Sequence, residues 1–334
     1  MVGGYSCARG DDMSLEDGAV DITIVVASYF HEAYISQALD SILTQEASVR
    51  YEVLVGDDAS QDRTPEIIRD YANRFPNIIK PVLRMENLGA SRNFYDLFSR
   101  AKGNYIAILE GDDYWLDPHK LQKQWEFLQG HPEYVGCCGK CQVVDEHGRP
   151  NYTKVLQFVS NKKNYTLDDY FETWNLPGQA GTLMCRNIFR AMDPSEYSIL
   201  YQAHPNVADK TWTLLFLMRG PIYCSNETLS CYRFVNAKGE HNWFSRHYAN
   251  PYRDYDMFMY PSRLEAWAKK RLGTDRYRHK HLGPKKEYRF CRFVENLAAE
   301  PSLKKIRCLA EMVFRGHQPV KYSLDIIKTL IEME

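Results

Sequence analysis

The pattern of this chain predicts an α/β fold: a doubly wound, mostly parallel sheet flanked by helices, with a helical extension towards the C-terminus. Three observations carry that expectation. From residue 22 onward, short apolar runs alternate with amphipathic stretches of helical period. The first run, Ile-Thr-Ile-Val-Val-Ala at residues 22–27, is rich in β-branched side chains and nearly continuous, as a strand covered on both faces requires. Two of the runs end in clustered acids, and open α/β sheets bind their ligands beyond the carboxyl ends of strands.

The elements follow in order. Ile35, Leu39, Ile42 and Leu43 recur at helical spacing within residues 32–45, and residues 52–56 form a second strand. Thr64-Pro65 opens a helix, since threonine caps well and proline suits the first turn; its inner face is Ile67, Ile68, Tyr71 and Phe75. A strand at 79–83, a helix at 91–101 and a strand at 105–109 come next. Asp117-Pro118 then begins a helix carrying Leu121, Trp125 and Leu128 on one side. Beyond Pro132 the spacing changes to a strand at 134–144, a short helix at 167–174, a strand at 181–186, a helix at 209–218 and an extended run at 222–234. We therefore expect a flexible leader at 1–20, a main domain at 21–245 with halves 21–131 and 132–245, and a basic helical region at 246–334.

Composition bounds the function. Apolar residues make up 44% of the 334, enough for a large core, and 23 tyrosines suit polar clefts. Nine cysteines lie scattered without a disulfide framework, and residues 1–20 lack a signal-peptide core; both point to a cytoplasmic protein. Cys137, Cys138 and Cys141 have no second pair at zinc-finger spacing and read as structural thiols. Neither G-x-G-x-x-G nor G-x-x-x-x-G-K-[ST] is present, which argues against a hydride-carrier or P-loop triphosphate site. Residues 263–307 hold fourteen Lys and Arg against five acids. That stretch reads as a solvated helical face, as a homo-oligomer contact, or as a peripheral contact with anionic lipid at the inner face of a membrane. No nucleic-acid motif accompanies it, so a nucleic-acid partner is not expected.

The chemistry concentrates in Glu110-Gly111-Asp112-Asp113, directly after the fourth strand. Like charges this close are unfavourable unless a cation or well-placed donors offset them. Hard cations such as Mg²⁺ or Mn²⁺ take few protein carboxylates and complete their shell with water and phosphate. The cluster reads as a metal–diphosphate clamp or, alternatively, as an acidic turn capping the next helix.

Taken in order, Ala27-Ser28-Tyr29, Glu32, Asp57-Asp58-Ala59-Ser60, Asn87-Leu88-Gly89, Arg92-Asn93 and Glu110-Gly111-Asp112-Asp113 resemble the family-2 glycosyltransferases of the Rossmann-like GT-A fold. The last element resembles the family's D-x-D motif with Glu in first place, and the resemblance covers about residues 21–245. It implies an inverting transferase that moves a sugar from a nucleotide-sugar donor, a UDP-sugar by the presence of Asp58, to a hydroxyl of a glycan or lipid-linked acceptor such as a growing bacterial polysaccharide. Asp58 would accept from the uracil imide and Tyr29 would flank the base. Ala27, Glu32 and Arg92 would line or neutralise the donor site, with Glu110 and Asp112 beside them. Asp113 would be the chief ligand of Mn²⁺ or Mg²⁺, with Asp112 and a late histidine, His241, completing the site. Asp209 would be the general base, although Ala208 stands where the family usually has Glu. The loop Leu176-Pro177-Gly178-Gln179-Ala180-Gly181 resembles the one beside the transferred sugar. The alternatives are a nucleotidyltransferase and a non-catalytic nucleotide-sugar-binding or assembly subunit.

Overall fold

The structure is a computed structural model and describes residues 20–153, 156, 159–235, 250–274 and 283–315. Its first half alternates strand and helix: β1 (Ile22–Ser28), α1 (Ile35–Leu43), β2 (Tyr51–Asp57), α2 (Thr64–Arg74), β3 (Ile79–Leu83), α3 (Ala90–Arg100), β4 (Tyr105–Glu110), β5 (Tyr114–Trp115) and α4 (Lys120–Gly130). The second half runs β6 (Gly136–Val144), β7 (Asn164–Tyr165), α5 (Leu167–Thr173), β8 (Met184–Arg186), α6 (Ile199–Gln202), α7 (Asp209–Leu217) and β9 (Ile222–Arg233). Three further helices follow: α8 (Arg253–Leu272), α9 (Gly283–Ala299) and α10 (Leu303–Arg315).

The strands form a nine-stranded sheet in the order β3-β2-β1-β4-β8-β6-β9-β5, with β7 pairing to β9. β1 is parallel to β2 on one side and to β4 on the other, with Ser28 opposite Asp57 and Ala27 opposite Glu110. The register therefore brings the carboxyl ends of three strands level, where the order of the sheet reverses. The other half is mixed, because β8 is antiparallel to both β4 and β6. β1 is buried along its whole length. Ile22, Ile24 and Val26 pack with α1 and α4 on one face, while Val25 and Ala27 join α3 and α7 on the other.

Two of the element boundaries that differ from the sequence pattern have clear local reasons. The helix expected from residue 32 begins at Ile35, since Tyr34 and Ile35 donate to the His31 carbonyl and Phe30 is held at φ 57°. The strand expected at 181–186 is cut to Met184–Arg186. The Gln179 side chain accepts the Gly181 N–H at 2.7 Å and the Thr182 N–H bonds the Gln179 carbonyl, curling the chain into one tight turn.

The boundary expected near residue 246 does not separate two cores. Tyr260, Leu264 and Ala268 of α8 belong to the same cluster as Phe94, Phe98 and Trp212. A satellite core of Phe258, Phe293, Leu297 and Met312 joins α8 to α9 and α10. No described helix is long and apolar enough to cross a membrane.

Phe98 ties α3 to the rest of its face: it stacks on Phe189 at 4.7 Å and meets Trp212 edge-on at 5.9 Å while only 1% exposed. Phe98→Ala should cost about 3–5 kcal/mol in urea unfolding, by lost burial plus the cavity left behind. A loss below about 1 kcal/mol would show that this face repacks freely.

Candidate active site

A cavity of about 630 Å³ opens over the level ends of β1, β2 and β4, walled by residues of α3, α7 and α8 and by the end of α5. The two acids at the end of β2 divide the labour. Asp57 makes the turn: its carboxylate accepts the Ser60 N–H at 3.0 Å and the Ser60 hydroxyl at 2.5 Å. Asp58, 3% exposed, reaches across the cavity edge and accepts the backbone N–H of Leu88 at 2.8 Å and of Gly89 at 2.9 Å. Asp58 lines the cavity together with Ala27, Tyr29 and Asn87.

Two expected donor-site residues lie elsewhere. Arg92 is exposed on the outer side of α3, its guanidinium 4.6 Å from the Tyr201 ring centroid. The cation near Asp58 is Arg84, with Nε 3.9 Å from its carboxylate and donors to Asn93 at 2.9 Å and Asp96 at 2.9 Å. Glu32 is exposed and accepts the Arg63 N–H at 2.9 Å, at the entry of α2, the N-terminal role favoured by helix electrostatics.

The acidic cluster stands at the end of β4. Glu110, Asp112 and Asp113 each offer a ligand oxygen, and these atoms all fall within 4.8 Å of one another. Glu110 and Asp112 line the cavity. Asp113 is 1% exposed and faces the protein, accepting Gln179 Nε2 at 2.7 Å and the Arg233 N–H at 2.8 Å. The Arg233 side chain braces the same turn, donating to the Asp112 carbonyl at 2.9 Å and to Gln37 at 2.6 Å. Above the cluster sits His31, Nε2 3.7 Å from Asp112 Oδ2. Gly111 makes room for it, because a Cβ there would stand 2.7 Å from His31 Nδ1.

Burial first, then the charges of Asp112 and Asp209, push the Glu110 carboxyl up to about 8. Asp113 is raised well above its ordinary range by burial and by Asp112 and Glu110, against its two hydrogen bonds. The protein thus gathers more negative charge here than its own donors offset. Hard oxygen ligands in that state fit a divalent cation.

Asp209 opens α7 as its first residue, with Ala208 supplying no side-chain cap. Its Oδ1 accepts the Lys210 N–H at 2.6 Å and its carboxyl is raised by burial, which Lys210 partly offsets. It lines the same cavity as Glu110 and Asp112. Burial lowers the neighbouring Lys210 to about 8. The structure therefore brings together Ala27, Tyr29, Asp58, Glu110, Asp112 and Asp209, with Asp113 behind them. His241 lies outside the described residues.

Sequence reasoning missed His31, Arg84, Gln179, Lys210 and the two α8 residues of the cavity wall, Met257 and Tyr260. For Gln179 the signal was present, since the loop bearing it stood out. For Arg84 the bare spacing from Arg92 gives no clue which of the two turns inward.

A family model described as glycosyl transferase family 2 matches residues 23–190. An uncharacterized protein of Mycobacterium tuberculosis, Rv1520, is 46% identical over 127 residues, 38% of this chain and 37% of that protein. The uncharacterized glycosyltransferase MG025 of Mycoplasma genitalium is 32% identical over 170 residues, 45% of this chain and 56% of its own. The match to the first of these relatives spans little more than a third of its length. Among solved structures, S. aureus TarS 1–349 in complex with UDP-GlcNAc is similar with a TM-score of 0.56 at 18% identity, covering 88% of this chain and 80% of that one. That likeness concerns the fold.

The charge crowding has a measurable sign. Glu110 holds its proton up to about pH 8 when folded, against an ordinary value of 4.5. Between those values the folded state binds more protons than the unfolded state, so stability falls as pH rises through the window. In metal-free protein, the melting temperature should fall from pH 5 to pH 8, and Glu110→Gln should make the fall shallower. Asp113 and Asp209, raised in the same direction, retain the remainder. Parallel curves for the two proteins would contradict the assignment.

Proposed function

Because the chain belongs to glycosyl transferase family 2, with that family's model matching residues 23–190, we propose that it transfers a sugar from a UDP-sugar to an acceptor hydroxyl with inversion at the anomeric carbon. The observation that carries this reading is that one cavity is lined by Asp58, Glu110, Asp112 and Asp209 together. A nucleotide, its diphosphate and an incoming hydroxyl need an acceptor for the base, a cation-holding cluster and a proton acceptor within one cavity. The TarS structure supports the choice of donor, since a similar fold there holds UDP-GlcNAc.

Each residue has a defined task in this account. Asp58, oriented by the Leu88 and Gly89 N–H groups, accepts from the uracil imide, and Tyr29 flanks the base. Glu110, Asp112 and Asp113 would hold Mn²⁺ or Mg²⁺, with Asp112 and Glu110 facing the cavity and Asp113 fixed from behind by Gln179 and Arg233. When bound, that cation offsets the negative charge of the diphosphate. Asp209 accepts the proton of the acceptor hydroxyl as its oxygen attacks the anomeric carbon, on the side opposite the departing UDP. A carboxylate raised by burial is a better base near neutral pH than an exposed one. Lys210, rather than the absent Glu at 208, is the neighbour that tempers it. The acceptor is a glycan or lipid-linked hydroxyl, and the basic C-terminal helices offer a peripheral approach to a membrane carrying it.

Asp209→Asn tests the chemistry. Removing a general base should lower turnover by a factor of about 10²–10⁴, whereas the thermal shift caused by UDP should persist. Unchanged turnover in this variant would remove Asp209 as the base.

A further inference from the structure

The cavity that holds Asp209 is also lined by side chains that donor chemistry does not use. Trp174 follows α5 with φ 57°, in the left-handed region. A bulky residue is strained in that region, and such a conformation persists where the surroundings enforce it. The surroundings do enforce it. Tyr170 and Tyr260 meet the Trp174 ring edge-on at 5.5 Å and 5.6 Å. Its carbonyl accepts from Lys210 Nζ, and that ammonium lies 5.4 Å from the ring centroid. Tyr260 is fully buried and its hydroxyl bonds the Thr211 hydroxyl at 2.8 Å, two residues after Asp209. Two independent contacts thus fix the indole relative to the base.

Around it, Val207 and Met257 line the cavity half-exposed, as does Trp174 itself. The same cavity also presents the polar side chains Asp58, Asn87, Glu110 and Asp112. Apolar surface left half-open beside a catalytic carboxylate needs an occupant with an apolar face. Asp209 and Asn206 on the same wall need that occupant to carry polar groups at its edge. An alkyl chain would desolvate those polar groups without pairing them, at a cost. A pyranose ring meets both demands, with C–H bonds on one face and hydroxyls around the rim.

We propose that Trp174, with Val207 and Met257, forms an acceptor subsite for a sugar ring, so that the acceptor is a saccharide whose ring stacks on the indole and presents its hydroxyl to Asp209. This rests on the transferase reading above. Val207 and Met257 lie outside the segment matched by the family model, 23–190. Much of the acceptor wall is therefore specific to the second half of this chain, and α8 is a working part of it.

The test measures UDP release from UDP-glucose, UDP-galactose and UDP-N-acetylglucosamine. Release is followed in water alone, with the methyl β-glycosides of the same three sugars, and with farnesyl phosphate as the alkyl alternative. At least one glycoside should accelerate release. Trp174→Ala should raise that glycoside's KM about tenfold, the scale of one lost stacking contact, with far less change in the donor's KM. Trp174→Phe should recover most of the loss, which separates lost stacking from misfolding. The subsite is overturned if only farnesyl phosphate accelerates release, if no glycoside does, or if Trp174→Ala leaves the acceptor KM unchanged. A wild-type protein that neither binds nor hydrolyses any of the three donors would instead refute the transferase reading.

Discussion

The crowding of carboxylates over the ends of β1 and β4 is the constraint on which the rest of the site depends. Two unit charges 4 Å apart repel by about 4 kcal/mol at an effective dielectric near 20, and here three acids have ligand oxygens within 4.8 Å. The fold spends considerable structure on holding them there. Gln179 and the Arg233 backbone fix Asp113, the Arg233 side chain ties down the Asp112 carbonyl, and Gly111 leaves space for His31. The Arg233 guanidinium bonds the carbonyls of Asp145 and Glu146 and the Gln37 side chain, besides that of Asp112. The scaffold sets positions and leaves the charge for a ligand to balance.

Asp58 and the segment leading to Asp209 are joined through backbone. Asp58 holds the loop at Leu88 and Gly89, and the Ser91 N–H just beyond bonds the Pro205 carbonyl at 3.1 Å. Gly89 is needed at that contact: its φ of 84° is left-handed, and a Cβ would meet the Pro205 carbonyl oxygen at 3.0 Å. Pro205 lies in the short link between α6 and α7, four residues before Asp209. Asp58 and the proposed catalytic base therefore share one continuous support, reinforced by Trp212 of α7 packing on Phe94 at 4.7 Å.

Much of this was legible in the sequence, for physical reasons that also mark the limits. β1, β2 and β4 were plain because strands covered on both faces must be apolar throughout, and their acidic ends stood out against that background. The antiparallel direction of β8 was not legible, since three residues carry no signal of orientation. Glu32 and Arg92 show a second limit. Both sit beside motif residues, yet one turns to the entry of α2 and the other to the outer face of α3, and only three-dimensional packing decides such directions. Asp58 illustrates the converse. Two adjacent acids exceeded what a turn needs, and the structure gives the turn to Asp57 and the cavity to Asp58. The integration of α8 into the main core was hidden because Tyr260, Leu264 and Ala268 form a narrow stripe within a highly charged stretch.

The central claim is that the acid cluster becomes a diphosphate site only with a cation, and titration calorimetry of UDP addresses it directly. The account predicts that Mn²⁺ tightens UDP binding at least about tenfold, a coupling near 1.4 kcal/mol, and that Asp112→Asn abolishes this enhancement while still folding. UDP binding of equal affinity in EDTA and in Mn²⁺ would contradict it.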